Sequence, residues 1–170
     1  DDGNLTPFGD HMSALPVDPE MAAMLLHSGA HNCRGSIAKI AAMMNVQNPF
    51  LNTFERAASR AKEQFYHMSG DHLALLNVFK GYEASGFDLQ WCKDTYLNPR
   101  NMKQAVSVCK QLVSILDRLG VHDTRKAFDG FKSKHVAGST ADGADEDNDD
   151  DPRFANHIRR AILSGYFTRI

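Results

Sequence analysis

Apolar positions along the chain recur mainly at helical spacing. From Pro99 onward, Met102, Ala105, Cys109, Leu112, Leu116 and Leu119 follow one another at three, four, three, four and three residues. That spacing lays them in one stripe of a helix ending near Leu119. Shorter versions of the period mark other helices: Met21, Met24 and Leu25; Ile37, Ile40 and Met44; Ala57, Ala61 and Phe65; Leu73, Leu76 and Phe79; and Ile158, Ala161 and Ile162. Strand-like alternation is nearly absent beyond the first few residues. The pattern therefore predicts an all-α bundle whose short loops make consecutive helices antiparallel neighbours.

Punctuation agrees with the periods. Thr6-Pro7, Asp18-Pro19, Asn98-Pro99 and Asp151-Pro152 each set a capping residue before a proline. A side-chain oxygen at the N-cap accepts from an orphan N–H, and proline at the first helical position has no N–H to leave unpaired. Ser69-Gly70-Asp71 reads as a fifth start, and Gly120 supplies a stop after the long helix. The opening Asp1-Asp2-Gly3-Asn4-Leu5-Thr6-Pro7 reads as a turn within a hairpin. On that reading the chain is a domain excised from something longer.

Composition narrows the picture further. The 170 residues suit one domain with a remnant of a neighbour, and 42% hydrophobic with 24% charged residues is ordinary for a globular protein. No apolar run approaches the ~20 residues that cross a bilayer. Cys33, Cys92 and Cys109 are odd in number and lack zinc-pair spacing, which argues against a disulfide framework and fits a reducing compartment. The net charge of −2 conceals an asymmetry, because residues 142–151 hold seven of the 21 acids. The other 14 acids face 19 Lys plus Arg, so the remainder carries +5. A polyanionic partner is compatible with that balance. From 138 to 151 the Gly, Ser, Ala and Asp content predicts a disordered acidic loop.

Catalytic signatures are missing: no phosphate-binding Gly-rich loop, no nucleophile elbow, no His-Glu-x-x-His. His27 and His31, four residues apart, could share a helix face beside Cys33, yet a metal site needs further ligands, and a polar helix end explains them as well. His72 after Asp71 reads as part of a helix N-terminus. The acidic segment could imitate nucleic acid, although a solvated loop is the simpler account. Arg56, Arg60 and Lys62 could meet phosphates or form an ordinary charged face. The loop Asn45-Val46-Gln47-Asn48-Pro49-Phe50 displays three amides at the end of a Met-rich helix.

An ordered set of motifs adds to this reading. Leu5-Thr6-Pro7-Phe8-Gly9 and Leu15-Pro16-Val17-Asp18-Pro19 resemble the end of the winged-helix domain of DEAH-box RNA helicases. Ala41-Ala42-Met43-Met44-Asn45-Val46-Gln47-Asn48 continues the resemblance, as do residues 70–79, Trp91-Cys92 and Tyr96-Leu97-Asn98-Pro99-Arg100. Residues 154–161 and Ser164-Gly165-Tyr166-Phe167 close it. Together these span nearly the whole chain apart from the acidic insertion. Two departures stand out: Asn45 replaces the family's serine, and Phe50-Leu51-Asn52-Thr53 replaces a Phe-x-Arg-Pro.

The resemblance implies the end of a winged-helix domain over 1–17 and a helical ratchet, or helicase-associated, domain over 18–170. It implies a domain that closes a single-stranded RNA tunnel together with RecA-like motor domains and an OB-fold domain of the same chain. RNA contacts would fall on Asn45, Val46, Gln47, Asn48 and Arg100, gripping phosphate or sugar without reading sequence. ATP and Mg would belong to the parent's motor domains, so this part would be no enzyme and hold no cofactor. Nuclear work in splicing or ribosome biogenesis, and a G-patch activator protein as partner, follow from the same resemblance; no membrane is implied. Two rivals are a protein-docking module with little RNA contact and a small metal-dependent enzyme.

Overall fold

The computed structural model describes residues 5–51, 56–123 and 152–166. Among these, the secondary structure is helical: α1 (Pro7–Ser13), α2 (Pro19–Ser28), α3 (Arg34–Asn45), α4 (Arg56–Glu63), α5 (Asp71–Ala84), α6 (Leu89–Asp94), α7 (Pro99–Arg118) and α8 (Pro152–Tyr166). The all-α expectation therefore holds. The hairpin turn expected at the start and the acidic loop expected at 138–151 lie outside the described residues.

The starts follow the sequence signals with one difference. The Thr6 hydroxyl accepts from the Gly9 N–H, and Asn98 Oδ1 accepts from the N–H groups of Arg100 and Asn101. Asp18 precedes α2 without making a side-chain cap bond. Gly70 sits before α5 at φ 112°, a conformation that suits a residue without Cβ. The start of α3 solves the capping problem from a distance, since its own N-cap is Cys33. Asp123 Oδ1 accepts from the Arg34 N–H at 3.1 Å, and the Arg34 guanidinium reaches Asp117 and the Val121 carbonyl. These bonds fasten the head of α3 to the end of α7.

α3 packs against α7 and α5, while α2 packs against α8 and α3. Met24, Leu25, Ile37, Ile40, Leu73, Leu76, Met102, Leu112, Leu116 and Ile158 are fully or almost fully buried. Burying such a side chain contributes roughly 1.5–3 kcal/mol. The α7 stripe from Met102 to Leu116 is buried as its period requires, and Gly120 follows at φ 70°. α2 and α8 approach closely at Gly165, where a Cβ would collide with the Glu20 carbonyl oxygen.

Two expectations need correction. In α3 the fully buried methionine is Met43, with Met44 only half-buried, one position away from the expected register. α4 exists, but the Ala57–Ala61 face does not enter the core. The helix has no buried residue, and Phe65 reaches the core from just beyond its end. A helix of eight residues with Arg56, Arg60 and Lys62 has little apolar surface to bury. α6 has no counterpart in the sequence reading. Asp88 caps it by accepting from Gln90 and Trp91.

Candidate nucleic-acid interface

α3 ends at Asn45, and Val46 leaves it in an extended conformation (φ −94°, ψ 162°). A valine at this turn has an apolar side chain to hide, and it is buried, with 9% of its surface exposed. Its neighbours Asn45, Gln47 and Asn48 are exposed. The loop thus divides into an inward valine and three outward amides. Of the five residues singled out in the sequence, Val46 is the one whose side chain serves the core.

The loop is stitched to the segment entering α7. Phe50 and Leu97 form an isolated antiparallel bridge. The Leu51 N–H donates to the Tyr96 carbonyl at 2.8 Å, and the Asn98 N–H donates to the Pro49 carbonyl at 2.7 Å. Asn101, in the first turn of α7, then donates from Nδ2 to the carbonyls of Asn48 at 2.9 Å and Gln47 at 3.4 Å. Asn48 Oδ1 accepts from the Phe50 N–H at 3.0 Å. Its amide nitrogen remains as the group a ligand can meet.

Arg100 adjoins Asn101 and is exposed. Among the described residues its guanidinium makes neither an ion pair nor a hydrogen bond. The first turn of α7 contains no acidic residue. A cation at the positive end of a 20-residue helix dipole is disfavoured by roughly 0.3–1 kcal/mol. Helix stability therefore gives no reason for an arginine here. An anion would be drawn to the same place by the guanidinium and the dipole together.

Sequence reasoning overlooked Asn101. Its signal was an amide on the apolar stripe, four residues before Ala105 and 9% exposed. A polar group so placed requires partners, and the partners are main-chain atoms more than 50 residues away.

Elsewhere the candidate chemistry resolves into packing. The His27 ring lies 5.3 Å from that of Phe8, and the His157 Nδ1–H donates to the His31 carbonyl at 2.9 Å. Among the described residues no three His, Cys, Asp or Glu side chains are grouped to hold a metal ion. All three cysteines are free and buried. Burial pushes the Cys92 and Cys109 thiols up to about 11, so neither is a thiolate near neutral pH. Among the described residues no helix is long and apolar enough to cross a membrane.

The loop and the helix α3 that leads into it fall inside a recognisable family segment, whereas Arg100 and the supporting Asn101 lie outside it. Residues 18–75, from the cap of α2 into α5, match the family model described as the helicase associated domain (HA2), ratchet-like, and this match supports a helicase-associated domain in this part of the chain.

Proposed function

We propose that this chain is an RNA-contacting accessory domain of an ATP-dependent DEAH-box RNA helicase acting in splicing or ribosome biogenesis, in the nucleus. Its residues 1–17 are the end of a winged-helix domain, and 18–170 the ratchet domain. Asn45, Gln47, Asn48 and Arg100 line one wall of a tunnel for single-stranded RNA. The other walls come from motor domains and an OB-fold domain of the same protein. ATP and Mg bind in those motors, and a G-patch protein is the expected activator.

The observation that carries this reading is the pair of bonds from Asn101 to the Gln47 and Asn48 carbonyls. They hold three exposed amides beside a helix N-terminus bearing an exposed arginine. Amides and a guanidinium on a fixed scaffold suit backbone contacts, which position a strand without specifying its sequence. A protein-docking role would make little use of an arginine at the wrong end of a helix dipole.

Titrating this chain into a labelled single-stranded RNA at several salt concentrations tests the proposal. Each phosphate contact contributes about −0.7 to the slope of log affinity against log salt for single strands. One tunnel wall predicts weak binding with a shallow slope, on the order of one or two contacts. Affinity independent of salt, or no affinity at low salt, would favour the docking role.

A further inference from the structure

Beyond the loop, the chain opens into a groove of about 540 Å³. This lies within the range of small-ligand sites, roughly 300–1,000 Å³. Asn48 belongs both to the loop and to this groove, whose walls include Phe50, Lys62, Phe65, Tyr66 and Leu75. Two of its rings, Phe50 and Phe65, have centroids 6.3 Å apart, and Phe65 also meets Trp91, outside the lining, at 5.9 Å. The Lys62 ammonium stands 5.2 Å over the Phe50 ring. Tyr66, at the rim, is 74% exposed. α4 supplies one wall through Ser59, Lys62 and Glu63, and Asp71 also lines the groove; Arg56 and Arg60 are exposed on the same helix but lie outside the lining.

We infer that this groove receives a nucleobase of the same strand whose backbone crosses Asn48 and Arg100. The inference rests on the RNA reading above and adds to it a base-stacking site. Two features favour a base over an apolar peptide. The groove is continuous with the strand-holding loop through Asn48. Its rim presents the exposed Tyr66 ring beside a half-buried Phe50 that carries the Lys62 ammonium, an arrangement that takes a flat ring carried on an anionic backbone. Stacking of this kind is tolerant of base identity, because every base offers a π-face.

The test uses this chain, a short oligouridine carrying one 2-aminopurine, and an abasic strand of equal length. Binding should quench the 2-aminopurine, and the abasic strand should bind roughly fivefold or more weakly. Tyr66→Ala should remove the quenching and weaken the base-bearing strand by a similar factor. It should leave the abasic affinity, the helical circular dichroism and the melting midpoint unchanged, because Tyr66 is exposed. Equal affinity for both strands, unaffected by Tyr66→Ala while Arg100→Glu weakens both, would overturn the groove and spare the strand reading. Base-dependent binding that Tyr66→Ala abolishes and Arg100→Glu leaves intact would uphold the groove and remove Arg100. No binding of either strand would overturn both.

Discussion

The Asn101 side chain donates to the Asn48 carbonyl at 2.9 Å, joining the first turn of α7 to the loop that leaves α3. Through this bond the spacing between Arg100 and the loop amides is a property of the bundle core. Asn101→Ala removes the donor and strands two carbonyls, so it should destabilise the domain by about 1–3 kcal/mol. Asn101→Asp, which places a carboxylate against those carbonyls, should be at least as damaging. Thermal melts of both variants measure this; a loss below about 0.5 kcal/mol would mean that water replaces the amide fully.

Leu116 lies in the α7 stripe and is fully buried, on a helix that packs against α3. Leu116→Ala should lose about 2–5 kcal/mol through transfer energy and the cavity left behind. A loss under about 1 kcal/mol, by denaturant titration, would show that the stripe collapses around the vacancy or is less packed than its burial indicates.

Gly165 sets the approach of α8 to α2. An added Cβ would strike the Glu20 carbonyl oxygen and the Met24 backbone, neither of which is a flexible chain end. Helix propensity alone favours alanine over glycine by about 1 kcal/mol. Gly165→Ala should nevertheless destabilise by about 1–3 kcal/mol, because the two helices must separate. A higher melting midpoint would contradict the close approach.

Burial, followed by the nearby His157, His27 and Arg160, holds His31 below its ordinary value of 6.5. A folded value below the unfolded one means that protons favour the unfolded chain. The stability linked to this group is therefore complete above about pH 6.5 and is lost as pH falls from there through the lower folded value. Melting midpoints should decline on acidification over that range, and His31→Gln should flatten the decline. Parallel profiles for the two proteins would assign the effect to other groups.

Much of this architecture was legible in the chain. Proline after a capping residue and a long 3.6-residue period act locally, so α1, α2, α7 and α8 begin where those signals stand. α6 escaped because six residues under an Asp88 cap are too few to show a period. α4 misled in a different way: three residues at helical spacing marked a real helix but said nothing of whether a partner covers it. The loop amides were visible as residues. Their arrangement was not, since Asn101 meets Gln47 and Asn48 only after α3 and α7 pack. Val46 was named as a contact because the resemblance places it in the tunnel-facing loop; its side chain is buried in the core beneath.

Arg100 gives the most direct measurement, because its two candidate roles predict opposite outcomes. Arg100→Glu should be made in this chain, and single-stranded RNA affinity and melting midpoint measured on the same samples. A residue placed to grip RNA should lose affinity on reversal, with the log–log salt slope shallower by about 0.7. The fold should be unharmed or steadier by roughly 0.3–1 kcal/mol, because an acid now sits at the positive end of the α7 dipole. A lower melting midpoint with RNA affinity and salt slope unchanged would make Arg100 a structural residue and contradict the proposed interface.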